Sequence, residues 1–329
     1  MNRLLSICIP TYGRPELLLE TASELVRQAR PHDIALVISD NSEDDRTEQV
    51  ARQLQASYPH VTYARNERNL GIDRNFLQVA SMAQTEFIWF FGDDDRPMPG
   101  AIDRVLAEAS RAGDVEFFLV NSKPMTPDMR REMSDNLTGI RSDVVYRDCN
   151  AALREVSWYS TFVGAFVVRL DAWRSVDPQR YLDTVFVHVG VMFEAMAARG
   201  FALKVISEPL ICYRTGTATW SGNFLNIQFV LWKRTMDLLP AAFDALSRRM
   251  AVESVVERFV TVGALVGMRT SGNLNLRTFR TIVAPYLEWA RKGRRATWRI
   301  ALSAASLLLV PVKALQLLRR GYRRVRYGG

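Results

Sequence analysis

The chain has 329 residues, of which 48% are hydrophobic and 24% are charged. This composition excludes a disordered tail protein, a collagen and a fibrous repeat, and the length is typical of one large α/β domain with or without an appendage. Three cysteines, at positions 8, 149 and 212, are too far apart for a disulfide framework or a zinc site. The apolar run before Pro10 is too short for a signal peptide, and no apolar stretch reaches about 18 residues, so we expect no transmembrane helix.

The positive charge is concentrated at the C-terminal end. Residues 291–329 contain eleven Lys and Arg residues and no Asp or Glu, so the remaining chain carries +8 − 11 = −3. A mildly acidic body with one basic segment favours a local electrostatic anchor over nucleic-acid binding. The basic residues are also interleaved with an apolar run instead of stacking aromatics, so we expect no nucleic-acid partner.

The first 120 residues alternate short β-branched or aromatic runs with helical patterns, which is typical of βαβ units and a largely parallel sheet. The pattern predicts strands at residues 4–9, 34–39, 61–64, 87–91 and 116–120. It predicts helices at residues 15–29, 46–55, 73–83 and 100–109.

Periodicity is lost over residues 121–148, which we interpret as an insertion or a mobile loop. The pattern then predicts a strand at 162–169, a helix at 184–198, two short strands within 203–214 broken at Pro209, and helices at 224–236, 240–268 and 276–290. We therefore expect a sheet-containing domain over residues 1–218 and a helical region over residues 219–329.

Polar segments follow four of the predicted strands, at the edge where open α/β sheets bind ligands. They are Pro10–Arg14, Asp40–Ser42, Asn66–Gly71 and Asp93–Asp95. The three adjacent carboxylates of the last segment repel one another unless solvent or a cation offsets their charge. Because carboxylate oxygens suit Mg²⁺ or Mn²⁺, and these ions bridge phosphate oxygens, the cluster points to a nucleotide diphosphate. The alternative is a solvated acidic turn that caps the helix starting near Pro99.

Together these segments resemble the family 2 glycosyltransferases of GT-A fold, and within them the abequosyltransferase-like bacterial sugar transferases. The matching elements are Ser6–Pro15, Val37–Ser42, Asn69–Asn75 and Ile88–Asp95, in the right order and spacing. The resemblance is weaker over Phe162–Arg214 and stops near residue 222. It implies an α/β GT-A fold followed by a helical C-terminal region, and transfer of a hexosyl or deoxyhexosyl group from a nucleotide-diphosphate sugar.

The resemblance also implies roles for individual residues. The base and ribose of the nucleotide would be held by Pro10, Thr11, Tyr12, Arg14 and Asp40. The alternative for Thr11 and Asp40 is that they only cap helices.

Further residues implied to bind the nucleotide sugar are Asn69, Arg74 and Arg214. Arg74 would steady a phosphate and Arg214 would contact the diphosphate. Trp220 is a candidate for stacking on a sugar, with ordinary packing as the alternative.

The acidic cluster departs from the family motif, Asp-any-Asp, at one position. Alignment on the following proline puts Gly92 where the first acid usually stands. We expect Asp94 or Asp95 to bind Mn²⁺ or Mg²⁺, and Asp93 or Asp94 to bind the ribose.

An inverting glycosyl transfer needs a base that takes the proton of the acceptor hydroxyl. The family places this carboxylate in a Glu-Asp pair that begins a later helix, but the corresponding segment, Tyr181–Gly190, has no such pair. Asp183 and His188 are the two candidates. The alternatives are that Asp183 is the N-cap of the helix and that His188 is a core histidine.

The C-terminal segment predicts membrane association. Its apolar part, Ile300–Val312, has 13 residues, fewer than the roughly 20 that span a bilayer, and it contains Pro311. With Trp298 and bases at both ends, it matches a helix in the membrane interface, or a hairpin that dips into it, with arginines on anionic headgroups. The alternative is a helix packed on the protein's own core or at an oligomer interface.

The sequence thus predicts a metal-dependent, inverting glycosyltransferase at the cytoplasmic face of a bacterial plasma membrane. The expected acceptor is a lipid-linked saccharide of cell-surface polysaccharide or O-antigen biosynthesis; it follows from the resemblance and the basic tail. The alternative hypothesis is a catalytically silent nucleotide-binding or scaffolding protein of the same fold, because the Glu-Asp pair is missing. The donor base, the sugar and the oligomeric state are left unassigned.

Overall fold

The computed structural model describes residues 2–217, 222–290 and 296–317. The chain divides into two compact units. One consists of Met1–Ala218 and Leu238–Asp244, and the other of Thr219–Asp237 and Ala245–Gly329. Trp220 and the basic segments 291–295 and 318–329 lie outside the described residues.

The first unit is built on one mixed sheet. Its strands are β1 (Leu5–Thr11), β2 (Ala35–Asp40), β3 (Val61–Arg65), β4 (Phe87–Phe90), β5 (Arg96–Pro97), β6 (Phe117–Met125), β7 (Val144–Tyr146), β8 (Phe166–Arg169) and β9 (Leu203–Arg214). Their order is β3-β2-β1-β4-β8-β6-β9-β5, and β7 pairs with β9. Strands β1 to β4 are mutually parallel where they pair, while β8 is antiparallel to β4 and β6. The sheet confirms the predicted α/β class.

Helices connect and accompany these strands. They are α1 (Pro15–Ala29), α2 (Arg46–Ser57), α3 (Ile72–Met82), α4 (Ala101–Ser110), α5 (Cys149–Val156), α6 (Leu170–Arg174) and α7 (Val187–Ala198). Every strand and helix predicted for the first 120 residues is present. Their signals are strong because β1, β2 and β4 are buried along their whole apolar runs, and because α1 begins on a proline at its first position.

The predicted break at Pro209 is wrong, because β9 is one continuous strand. Its register against β6 shifts between Val120 and Asn121, where Asn121 pairs with Pro209. A bulge of this kind accommodates a residue that has no N–H to give to the ladder. Strand β6 also continues to Met125, into the segment predicted as an insertion.

The second unit is helical. Its α-helices are α8 (Phe224–Asn226), α9 (Trp232–Leu238), α10 (Ala245–Phe259), α11 (Val262–Thr270), α12 (Leu276–Thr278), α13 (Ala284–Ala290) and α14 (Ala296–Leu309). The single helix predicted over 240–268 is two helices, because the Thr261 side chain accepts a hydrogen bond from the N–H of Ala264 and starts α11 afresh. Among the described residues, no helix combines the length and hydropathy needed to cross a bilayer.

A close approach inside the first unit yields a packing prediction. A Cβ on Gly190 of α7 would lie 2.2 Å from Cδ1 of the Tyr181 ring, which is fully buried. Replacing Gly190 by Ala forces the ring or the helix to move, and we expect a loss of about 3 kcal/mol in the free energy of unfolding, measured by urea denaturation.

The matched control is Gly263→Ala in α11, where the nearest atom to an added Cβ is 3.8 Å away. That variant should keep the wild-type stability or gain up to about 1 kcal/mol from the better helix former. Equal midpoints for Gly190→Ala and wild type would contradict the packing of α7.

Candidate active site

The acidic loop, residues 93–95, follows β4 beside the carboxyl end of β1. The two strands are parallel, and Cys8 of β1 lies opposite Phe90 of β4. Thr11 and Asp93, each three residues further along the chain, therefore meet at the edge of the sheet. There the Thr11 hydroxyl donates to Oδ2 of Asp93 at 2.7 Å. Thr11 is therefore hydrogen-bonded directly to the acidic loop.

Arg14, just beyond β1, supplies positive charge to two carboxylates of the acidic loop. Its Nη1 lies 3.1 Å from Oδ1 of Asp93 and 2.9 Å from Oδ2 of Asp94. Its Nη2 donates to the carbonyl of Thr217 at 3.0 Å, at the end of the segment after β9. The guanidinium thus joins the loops after three strands of the sheet.

Asp95 is buried between the loop and β9. Its Oδ1 accepts a 2.9 Å hydrogen bond from the backbone N–H of Arg214, and its carbonyl accepts one from the Thr21 hydroxyl. A Cβ at Gly92 would lie 2.6 Å from Oδ2 of Asp95. This contact gives a physical reason for the departure from the family motif, since a side chain at position 92 would collide with the carboxylate placed here.

Arg214 is 6% exposed, and its side chain contacts the backbone of the acidic loop. Its Nε donates to the carbonyl of Asp94 at 2.8 Å and its Nη1 donates to the carbonyl of Pro127 at 2.9 Å. Its Nη2 lies 2.8 Å from a carboxylate oxygen of Glu20. The side chain predicted to contact a diphosphate thus contacts the carbonyls of Asp94 and Pro127 and the carboxylate of Glu20, and its contact with a diphosphate stays a prediction.

The electrostatics of the loop favour a bound cation. Burial and the neighbouring carboxylate of Asp94 raise the pKa of Asp93 to about 6, against the lowering effect of Arg14 and Thr11. Burial, followed by the same neighbouring charge, raises the pKa of Asp95 well above its usual value. No cluster of three or more acidic, His or Cys side chains forms a complete metal site in the described parts of the chain.

The donor set nevertheless fits Mg²⁺ or Mn²⁺. These ions are commonly held by one or two carboxylates, with substrate phosphates and water at the other positions. Asp94 and Asp95 offer such a pair of oxygen donors, and burial together with the neighbouring carboxylate of Asp94 raises the pKa values of Asp93 and Asp95. The acidic turn is not a helix cap, because the N-cap of α4 is Gly100 and no side chain caps this helix.

Asp40 lies fully buried at the end of β2. Its two oxygens accept hydrogen bonds from the N–H of Ser42 at 2.7 Å and the hydroxyl of Tyr63 at 2.9 Å. It shapes the turn after β2, and neither it nor Thr11 caps α1 or α2, whose N-caps are Arg14 and Asp45.

The other residues of the predicted nucleotide site lie at the same edge. Tyr12 is 49% exposed beside Pro10, and Asn69 accepts a hydrogen bond from the N–H of Gly71 ahead of α3. Asn75, one turn into α3, donates to the carbonyls of Thr11 and Ser39. This buried amide ties α3 to the ends of β1 and β2.

The two candidate bases have different environments. Asp183 is exposed, and its carboxylate forms a 3.0 Å ion pair with Arg74. His188 is 2% exposed and stacks on Phe76 with ring centroids 4.6 Å apart, and burial lowers its pKa to about 3. The structure places His188 in the core, so Asp183 is the candidate with access to a substrate.

Asp183 does not cap α7. Instead Asp73 of α3 accepts hydrogen bonds from the N–H groups of Thr184, Val185 and Val187, at the start of that helix. Sequence reasoning missed Asp73. Its only local signal is an acid in the first turn of α3, and the partner backbone lies more than 100 residues away.

A separate cavity of about 450 Å³ lies at the other end of β4, lined by Gln84, Thr85, Glu86, Arg169, Leu170, Asp171, Arg174 and Ser175. Thr85 and Glu86 precede β4, whereas the acidic loop follows it. Glu86 and Arg169 in its wall are already ion-paired. This cavity is therefore not part of the candidate site.

Comparisons with known proteins agree with this geometry. Residues 6–157 match the model of glycosyl transferase family 2. The chain is 29% identical to abequosyltransferase RfbV of Salmonella typhimurium over 64% of this chain and 66% of that protein. It is 29% identical to the GalNAc(5)-diNAcBac-PP-undecaprenol beta-1,3-glucosyltransferase of Campylobacter jejuni over 32% of this chain and 34% of the relative. The matches thus span less than two thirds of either relative.

Solved structures share the fold at low sequence identity. S. aureus TarS 1-349 in complex with UDP-GlcNAc superimposes with a TM-score of 0.61 at 13% identity, covering 100% of this chain and 93% of TarS 1-349. The mannosyltransferase PcManGT of Pyrobaculum calidifontis gives a TM-score of 0.51 at 13% identity, covering 94% and 88%. The family match over residues 6–157, the similar transferases and the shared sheet lead to one conclusion: the first unit has the GT-A fold and contains a glycosyl transferase family 2 domain, and the chain is similar to abequosyltransferase RfbV.

Proposed function

We propose that this chain transfers a sugar from a nucleotide diphosphate to a hydroxyl of a lipid-linked saccharide during assembly of a bacterial cell-surface polysaccharide. The observation that carries the proposal is the acidic loop, residues 93–95, at the carboxyl ends of β1 and β4 in a family 2 domain. The names of the similar proteins support the substrate class, because one is an abequosyltransferase and the other acts on an undecaprenol-linked saccharide.

The donor would bind with its diphosphate against the acidic loop. Asp94 and Asp95 would hold Mg²⁺ or Mn²⁺, and the ion would offset the charge that develops on the leaving diphosphate. Asp93 would receive the ribose beside Thr11. The structural neighbours support this ligand class, since one was solved with UDP-GlcNAc and another with GDP-Man and Mn²⁺.

The transfer itself would be a single displacement with inversion. The acceptor oxygen forms a bond to the anomeric carbon, while the bond from that carbon to the diphosphate oxygen breaks. The hydroxyl proton passes to the carboxylate of Asp183, which is exposed and therefore accessible to an acceptor. Arg74, its ion-pair partner, would also contact a phosphate of the donor.

The C-terminal segment would keep the enzyme at the cytoplasmic face of the plasma membrane, peripherally bound. In α14, Leu302 and Leu309 are exposed at 65% and 87% and lie seven residues apart, on one helix face. The eleven bases of residues 291–329 would contact anionic lipid headgroups, each contributing on the order of 1 kcal/mol. A lipid-linked acceptor lies at the same surface, so this location supplies the substrate.

The acidic loop is tested by calorimetric titration with UDP, CDP, GDP and dTDP, with and without Mn²⁺. We expect wild type to bind one of them in a Mn²⁺-dependent manner. The Asp94→Asn, Asp95→Asn double variant should lose more than about 10-fold in that affinity, because it removes both proposed metal ligands.

The control for this titration is Asp114→Asn, which removes an exposed carboxylate paired with Arg147 and should bind as wild type does. Release of nucleotide diphosphate from a panel of UDP-, CDP-, GDP- and dTDP-sugars then tests turnover. Binding without turnover of any donor would favour the catalytically silent protein, and binding of no nucleotide at all would contradict the site.

The membrane proposal predicts a specific effect of charge position. Replacing Arg319, Arg320, Arg323 and Arg324 together by Gln should lower the affinity for vesicles containing phosphatidylserine by roughly 100-fold or more, measured by co-sedimentation. The matched control removes four exposed arginines of the first unit, Arg111, Arg130, Arg131 and Arg141. Equal loss of binding in both variants would show that net charge, and not the tail, attracts the protein.

A further inference from the structure

The turn that carries Asp183 has an unusual backbone. Asp183 has φ 60° and Val185 has φ 70°, both in the left-handed region. A β-branched residue in this region is a clear outlier, and such conformations persist only where the surroundings impose them. Something outside the turn must therefore hold it.

The constraint comes from one carboxylate on a different helix. Asp73 of α3 is 4% exposed, and its Oδ2 accepts hydrogen bonds from the N–H groups of Thr184 at 3.0 Å and Val185 at 2.9 Å. Its Oδ1 accepts a third from the N–H of Val187 at 3.1 Å. Without Asp73, three donors at a buried helix start would lose their partners.

The same helix also engages the turn by a side chain and by packing. Arg74, the residue after Asp73, forms the ion pair with Asp183. One turn later Phe76 stacks on His188 of α7. These two contacts, made by residues that follow Asp73 in α3, also hold the turn and the start of α7 against α3.

Helix α3 is itself fixed to the candidate nucleotide site. Asn75 donates to the carbonyl of Thr11 at 3.2 Å, and Thr11 in turn donates to Asp93 of the acidic loop. A short run of contacts therefore links the acidic loop, through α3, to the turn that bears Asp183.

From this arrangement we propose that Asp73 is a positioning residue, which sets the backbone of residues 183–187 so that the Asp183 carboxylate meets the acceptor hydroxyl. The inference rests on the proposed function, in which Asp183 is the base. It assigns Asp73 no contact with substrate. Its contribution is a fixed distance between the base and the donor bound at the acidic loop.

The test compares Asp73→Asn with a matched cap variant. Asp148 accepts a 2.6 Å hydrogen bond from the N–H of Ala151 at the start of α5, so Asp148→Asn also weakens a helix start. Both variants should lower the unfolding midpoint. With the donor that wild type turns over in the Mn²⁺ assay, Asp73→Asn should lower kcat by roughly 10- to 100-fold and leave the donor KM unchanged, whereas Asp148→Asn should keep the wild-type kcat.

A double variant separates positioning from general damage. If Asp73 acts through Asp183, then the Asp73→Asn, Asp183→Asn protein should be no slower than Asp183→Asn alone. Amide hydrogen exchange should also be faster at residues 184, 185 and 187 in Asp73→Asn, with the protection of β1 and β4 unchanged.

A wild-type kcat in folded Asp73→Asn, or fully additive losses in the double variant, would overturn the proposal. If Asp73→Asn does not fold, Val185→Gly loosens the same turn while leaving Asp73 in place, and an unchanged kcat there would overturn it equally. Failure of wild type to turn over any donor would instead refute the proposed function, and the assignment of Asp73 with it.

Discussion

The mutual repulsion of Asp93, Asp94 and Asp95 is the constraint on which the rest of the site depends. Two of these carboxylates are buried, and the pKa values of both are raised by burial and by the neighbouring charge. Two arginines offset part of this repulsion. Arg14 is ion-paired with Asp93 and Asp94, and Arg214 donates a hydrogen bond to the carbonyl of Asp94. What remains is a concentrated negative charge at a sheet edge, and a divalent cation with a diphosphate is its natural complement.

The order of the strands determines which segments lie beside the acidic loop. Because β1 and β4 are adjacent and parallel, the segment after β1 and the acidic loop meet at one edge, and the segment after β2 lies beside them. Helix α3 then connects that edge to the start of α7 through Asn75 and Asp73. Donor binding and acceptor activation are therefore proposed for two places that are both attached to the buried face of α3. The hydrogen bonds of Asp73 in this helix explain how the strained turn at Asp183 is maintained.

Local sequence patterns predict the strands and the acidic loop, whereas features that depend on contacts between distant parts of the chain are not predicted. Strands β1, β2 and β4 are apolar runs followed by polar loops, so both the strands and the acidic loop could be predicted from local pattern. Pro209 was misjudged, because a bulge that accommodates a proline depends on the partner strand. Asp73 was missed for a similar reason, since its three hydrogen bonds are made to backbone far along the chain. The burial of His188 is likewise a property of the packing of α7 on α3.

The proposed role of the acidic loop is to bind a divalent cation together with a nucleotide diphosphate. Electron paramagnetic resonance of Mn²⁺ titrated into the protein, with and without UDP, GDP, CDP or dTDP, tests it most directly. We expect weak binding of Mn²⁺ alone, because only two carboxylates are proposed as its protein ligands, and strong binding when one of these nucleotides is present. Mn²⁺ binding that is equally tight without nucleotide, or absent under every condition, would contradict it.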